Sequence, residues 1–203
     1  MNGRNRKKIS AILLDMYGVI LEESKGNFIP YTYGYFSETE HERLTKQFKQ
    51  DRLFTKAGNG QISSNMFLTL LGYENPQYHM RNYLKNYVTL DSDFIPFAEI
   101  YYNSVDFVLL SNDVSEWSAF IMDYYELNKY FKNKIVSGDV KCRKPDKQIF
   151  EVALREINKK PSECVFVDNS VENLKVANEL GFCSVLFNRD HVAYSGIVVN
   201  TFE

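Results

Sequence analysis

LLDMYGVI, residues 13–20, decides how the rest of the chain is read. A short apolar run without alternation is the pattern of a strand buried on both faces, as in a parallel sheet. Here it runs straight into a carboxylate, Asp15, and then into a turn at Gly18. That layout suits a nucleophile held at the end of a buried strand. A second carboxylate two residues on, able to pass a proton, would complete the arrangement. Tyr17 stands there instead.

Working outward, four segments predict buried parallel strands: Ile9–Leu14, Asp106–Leu110, Cys164–Val167 and Cys183–Phe187. Ile135 and Val136 suggest a short fifth. Amphipathic helices separate them. Trp117, Phe120, Ile121 and Tyr124 recur at helical spacing, as do Ile149, Phe150, Ala153, Leu154 and Ile157 just after Pro145. Leu174, Ala177 and Leu180 mark a third, closed by Gly181. Strand–helix alternation of this kind predicts an α/β fold, a Rossmann-like parallel sheet with helices on both faces.

Residues 22–97 differ. They hold no convincing buried strand but three helical patterns: Leu44 and Phe48; Met66, Phe67, Leu70 and Leu71 up to Gly72; Leu84, Tyr87 and Val88. Asn75-Pro76 reads as a turn into the last. So long a connection predicts a helical cap inserted after the first strand, over the sheet edge. The core is then discontinuous, 1–21 and 98–203. Within the insert, PYTYGYF (Pro30 to Phe36) is either hinge packing between cap and core or a flap facing the substrate.

Composition bounds the partners. The 203 residues are 44% hydrophobic and 15% aromatic, enough for a sizeable core. A net charge of -2 argues against nucleic acid or an anionic membrane as the partner. The cluster Arg4, Arg6, Lys7, Lys8 reads as a solvated arm. No apolar run approaches the ~20 residues of a membrane helix, and the run before Asp15 is too short for a signal peptide, so a cytoplasmic protein is expected. Cys142, Cys164 and Cys183 follow no zinc or disulfide spacing; Cys164 and Cys183 are expected in the core. His41, His79 and His191 follow no ligand spacing.

In an open parallel sheet, ligands bind beyond the carboxyl ends of the strands. Asp15 follows the first strand, Ser111-Asn112-Asp113 the second and Asp168-Asn169 the fourth, with Asn173 a helical turn on; Lys144 precedes a helix. This set suits phosphoryl transfer. A carboxylate can attack phosphorus, and the phosphoryl oxygens need a cation and fixed donors. Mg²⁺ would take Asp15, Asp168 and the main-chain carbonyl of Tyr17. Ser111 and the amides around it would hold the phosphoryl oxygens, and Lys144 would keep Asp15 ionised. Asp113 is expected to cap the helix carrying Trp117.

The segments LLDMYGVI, VLLSND, GDVKCRKPDKQIF and VFVDNSVENLKVANELGF resemble, in order and spacing, the four motifs of the haloacid dehalogenase superfamily. NGQISSNMFLTLLG is similar to a common stretch of that superfamily's small helical cap. The resemblance implies that Asp15 is the nucleophile, that Ser111 and Asn112 bind phosphate together with Lys144, and that Asp168 is a metal ligand. Lys144, rather than Lys141, matches the motif lysine. Asn169 and Asn173 would support the metal shell or orient Lys144. Phosphatases of the superfamily usually carry aspartate where Tyr17 stands. Tyrosine, with a pKa near ~10, is a poor replacement at neutral pH.

Three readings follow. The first is a magnesium-dependent phosphatase acting on a small phosphorylated metabolite, whose leaving group needs little acid or takes it from elsewhere; Glu22 and Glu23 read as solvated hinge residues or, alternatively, as stand-in acids. The second is a metal-independent 2-haloacid dehalogenase, because an Asp-x-Tyr-Gly run is typical of those enzymes; Arg43 and Arg52 are its candidate halide donors. Two nearby carboxylates, Asp15 and Asp168, argue for a cation between them and hence for the phosphatase. The third is a phosphate-binding pseudoenzyme.

Overall fold

The computed structural model describes residues 9–23, 27–189, 194 and 196–197. The basic cluster at residues 4–8 and His191 lie outside the described residues. Five parallel strands form one sheet: β1 (Ala11–Leu14), β2 (Asp106–Ser111), β3 (Phe131–Val136), β4 (Cys164–Asp168) and β5 (Cys183–Leu186). Their order is β3-β2-β1-β4-β5. The chain builds outward from β1 to β3, then returns to the other side of β1 for β4. The direction therefore reverses between β1 and β4, where open α/β sheets bind ligands.

Alternate residues of each strand point to opposite faces. Ile12, Leu14, Phe107, Leu109, Val165 and Val167 pack into one buried cluster, and Leu13, Val108, Leu110 and Phe166 into the other. Between β1 and β2 run α1 (Phe28–Tyr35), α2 (His41–Lys49), α3 (Leu53–Gly58), α4 (Ser64–Leu71), α5 (Pro76–Asn86) and α6 (Phe94–Tyr101). Beyond β2 come α7 (Ser115–Tyr124), α8 (Ser137–Val140), α9 (Lys147–Ile157) and α10 (Val171–Leu180). Residues of α6 and α7 join the first cluster; Ile149, Phe150 and Ala153 of α9 and Leu174 and Ala177 of α10 join the second. No helix among the described residues is long and apolar enough to cross a membrane.

Four points differ from the sequence reading. The fifth strand is six residues long rather than two, because Lys132, Asn133 and Lys134 interrupt its apolar run. It is an edge strand, where exposed lysines discourage pairing with another chain. Cys183 is exposed rather than core, since β5 is the opposite edge. Helix α6, assigned to the insert up to residue 97, stacks on the sheet: Phe97 lies 5.4 Å from Phe107 and Phe94 6.0 Å from Phe131. The tyrosine-rich stretch is most of α1. It packs within the inserted helices, with Tyr35 5.0 Å from Tyr73 and the Tyr33 hydroxyl 2.7 Å from Thr45.

Aromatic packing joins the inserted helices to the sheet. Phe28 of α1 meets Trp117 of α7 edge-on at 4.8 Å, with Phe67 and Tyr83 beside them. Polar contacts fix the register. Trp117 Nε1 donates to Ser64 Oγ at 2.7 Å, and the Glu116 carboxylate accepts the Ser64 N–H at 3.0 Å. A side chain of α7 thus satisfies a donor at the start of α4.

Candidate active site

A cleft of about 870 Å³ opens at the carboxyl ends of the strands. Asp15, Tyr17 and Gly18 line it from the end of β1, Asn112 and Asp113 from β2, Asn169 from β4 and Asn173 from α10. Phe54 of α3 and Tyr83 of α5 contribute from the inserted helices. The turn that presents Asp15 depends on Gly18, whose φ of 80° favours glycine. Its N–H donates back to the Leu21 carbonyl at 2.9 Å.

The centre of the site is a buried cation between two carboxylates. Lys144 Nζ lies 2.7 Å from Asp15 Oδ1 and 2.8 Å from Asp168 Oδ2, and its side chain is 1% exposed. Burial disfavours the lysine charge, but the two carboxylates outweigh it and hold its pKa above the usual value. Burial pushes the Asp15 carboxyl up to about 6, against the pull of Lys144. Asp15 Oδ1 also accepts the Met16 N–H at 2.8 Å. Lys141, its rival in sequence, is exposed and ends α8 in a left-handed conformation.

Several residues have partners within the protein that the sequence did not reveal. Asp168 is wholly buried and turned toward the protein: Oδ2 accepts from Lys144 and from Asn173 Nδ2 at 3.0 Å, and Oδ1 from the Ser170 N–H at 2.7 Å. The ammonium of Lys144 thus separates the two carboxylates, so their proximity alone does not require a metal between them. Asn173 orients Asp168. Asn112 turns its side chain to the Lys144 main chain, donating to the carbonyl and accepting the N–H, both at 2.8 Å. Asp113 is not the N-cap of α7, a position held by Val114. Its Oδ2 accepts instead from Ser118 Oγ at 2.7 Å, and burial pushes its carboxyl up to about 7.

Ser111, at the end of β2, is wholly buried, and its hydroxyl has no hydrogen-bond partner among the described residues. Buried polar groups without partners are uncommon, and one at the carboxyl end of a strand invites a ligand oxygen, although Ser111 itself is not among the residues that line the cleft. Tyr17 is a neutral hydroxyl: burial first, then the Asp113 charge, raise its pKa well above the ordinary value. Of the stand-in acids, Glu23 spends both oxygens on the Thr89 N–H at 3.0 Å, while Glu22 lines the cleft. Arg43 is engaged by Glu40, Gln47 and the Leu71 carbonyl, so it does not serve the cleft; Arg52 is exposed.

Two arginines on the cleft wall were not singled out from the sequence. Arg189 pairs with Asp91 and donates to the Glu22 carbonyl at 2.7 Å, tying the turn after β1 to the segment after β5. Arg143 stands beside Lys144, its pKa lowered by burial and by the Arg52 charge. Nothing in the local sequence distinguishes either from a solvated arginine.

The donor set is compatible with one hard cation. Mg²⁺ binds through one or two carboxylates, neutral oxygens and retained waters. Asp15, the Tyr17 carbonyl and the Asn169 amide are of that kind, although the described residues contain no group of three or more His, Cys, Asp or Glu side chains that could hold a metal.

A family model described as haloacid dehalogenase-like hydrolase matches residues 9–181. The chain belongs to this family. Among curated proteins it is similar to the glyceraldehyde 3-phosphate phosphatase of Methanothermobacter thermautotrophicus, 30% identical over 105 residues, 47% of this chain and 46% of that protein. It is also similar to drimenol cyclase of Aspergillus calidoustus, 34% identical over 84 residues, 41% of this chain and 14% of that one. The matches thus span less than half of these relatives. A haloacid dehalogenase family enzyme of Bacteroides thetaiotaomicron has the same fold, with a TM-score of 0.80 at 19% identity over 94% of this chain and 98% of that one. That enzyme has also been solved with magnesium and inorganic phosphate, in a form matching at a TM-score of 0.77 and 18% identity over 93% and 98% of the two chains.

Proposed function

We propose that this hydrolase is a magnesium-dependent phosphatase of a small phosphorylated metabolite, working through an aspartyl phosphate on Asp15. The observation that carries the reading is the Lys144-bound carboxylate of Asp15 on the cleft wall, with the buried hydroxyl of Ser111, which has no hydrogen-bond partner among the described residues, at the end of the adjacent strand. Asp15 attacks phosphorus, and the bond to the leaving oxygen breaks. Ser111 Oγ donates to a phosphoryl oxygen, joined by main-chain N–H groups near Asn112. Lys144 offsets the negative charge gathered at the phosphoryl group and keeps Asp15 ionised. Mg²⁺, when bound by Asp15, the Tyr17 carbonyl and Asn169, supplies further charge neutralisation. Asp168 and Asn173 hold Lys144 in place rather than binding the ion. The helices α1–α5 act as the cap, with Phe54 and Tyr83 facing the substrate and excluding water. The phosphatase relative and the magnesium and phosphate complex of the Bacteroides enzyme support this reading by analogy.

Metal-independent dehalogenation is the second reading. It is favoured by Tyr17 and by the fact that Lys144 already neutralises the carboxylate pair. Phosphate release from a panel of phosphorylated metabolites, with and without Mg²⁺, separates the two when run beside halide release from 2-chloro acids. Mg²⁺-dependent phosphate release that vanishes in Asp15→Asn is the expected result. Halide release without metal, and no phosphate from any compound, would reject the phosphatase.

A further inference from the structure

Position 17 lacks a carboxylate, yet an unassigned carboxyl group stands in the same cleft. Asp113 leaves β2 two residues after Ser111 and lines the cleft with Asp15 and Tyr17. It is 5% exposed, and no lysine, arginine or histidine pairs with it among the described residues. Its position is fixed on three sides. Ser118 Oγ donates to Oδ2, the Asp113 N–H donates to Ser137 Oγ at 3.0 Å, and its carbonyl accepts the Gly138 N–H at 3.2 Å. It caps no helix. A buried carboxyl without a counter-ion costs stability, and a cleft wall is where such a cost is repaid by chemistry.

We propose that Asp113 is the proton donor and acceptor of this site, in place of the carboxylate absent from position 17. The proposal rests on the phosphatase reading and supplies its missing acid. In the first step Asp15 forms a bond to phosphorus, the bond from phosphorus to the leaving oxygen breaks, and that oxygen takes the Asp113 proton. In the second, the Asp113 carboxylate takes a proton from water, whose oxygen attacks phosphorus. The bond to Asp15 then breaks, returning Asp15 as a carboxylate, Asp113 as an acid and free inorganic phosphate. A carboxyl that burial holds near neutrality suits both directions. Tyr17 remains neutral beside it.

The test compares the wild-type chain with Asp113→Asn, which keeps an acceptor for Ser118, on an alkyl phosphate and on p-nitrophenyl phosphate. The alkyl leaving group needs a proton, so its turnover should fall by about 10²–10⁴-fold. The nitrophenolate does not. The variant should therefore release it in a burst stoichiometric with protein, then stall with phosphate on Asp15, visible by mass spectrometry. A variant at least as stable as the wild-type chain that turns over both substrates at wild-type rates overturns the proposal. So does an equal loss on both substrates without a burst. If the wild-type chain itself releases phosphate from neither, the phosphatase reading has failed and this proposal with it, a result distinct from either of the others.

Discussion

At the scale of single residues, the charges at the strand ends are the defining feature. Asp113 is raised from 3.8 to about 7 by burial, so the folded chain holds a proton that the unfolded chain releases at lower pH. Its contribution to stability is therefore greatest near pH 4 and falls as pH rises toward 7. A tenfold change in proton affinity is about 1.4 kcal/mol, which makes the penalty at neutral pH on the order of a few kcal/mol. Asp113→Asn removes it. Urea unfolding should find that variant more stable than wild type at about pH 8, with the difference shrinking toward about pH 4; an equal or lower stability at both would show that Asp113 carries no such penalty. The sequence placed Asp15, Ser111, Lys144 and Asp168 together because each ends a strand or precedes a helix. It did not place Asp113 among the reactive groups, because a strand-end aspartate before a helix reads as a cap. Val114 took that position, and only burial in the folded chain distinguishes the two uses.

At the scale of elements, the join between α3 and α8 positions the roof of the cleft. Ser137 Oγ hydrogen-bonds the Gly58 carbonyl, and a Cβ at Gly138 would lie 2.5 Å from Ser115 Oγ, 2.8 Å from the Ser115 nitrogen and 3.0 Å from the Asp113 carbonyl oxygen. Main-chain atoms cannot yield as a flexible side chain can. Gly138→Ala should cost about 1–3 kcal/mol in thermal unfolding. Gly34, inside α1 with nothing within 4 Å of its Cβ position, is the control, and Gly34→Ala should gain roughly 0.5–1 kcal/mol. Equal effects of the two would mean that the α8 contact is looser than its distances imply. Elements with a clean period were legible: β1, β2 and β4 as unbroken apolar runs, α9 and α10 as helical stripes. The full length of β3 was not, because an edge strand alternates lysine with apolar residues and needs only part of its surface buried. In α4 the helix was recognised but its buried face was not. Phe67, Leu68 and Leu71 turn inward, while Met66 and Leu70 are 52% and 42% exposed.

At the scale of the whole molecule, the cleft joins the sheet edge to the inserted helices, so occupancy should stabilise both together. Under the phosphatase reading, inorganic phosphate with Mg²⁺ binds the folded chain alone, adding about 2.7 kcal/mol at a hundredfold excess over Kd. For a chain of this size that is a rise of several degrees in Tm, at ~2–4 °C per kcal/mol. The rise should need both ligands and should weaken in Asp15→Asn; no rise with either ligand or both would mean that the cleft does not hold a phosphoryl group.

Legible in the sequence were the parallel sheet, the run of helices after β1, the strand ends that carry Asp15, Ser111 and Asp168, and the loop before α9 that carries Lys144. These follow from hydrophobic period and chain order, which are local properties. The partnerships came from tertiary structure: Lys144 between Asp15 and Asp168, Asn112 turned to the Lys144 main chain and, among the described residues, Ser111 left without a partner and Asp113 buried without a cation. Burial and ion pairing depend on groups far apart in the chain meeting at one edge. No local pattern records which of several carboxylates, once there, will face the lysine and which the cleft.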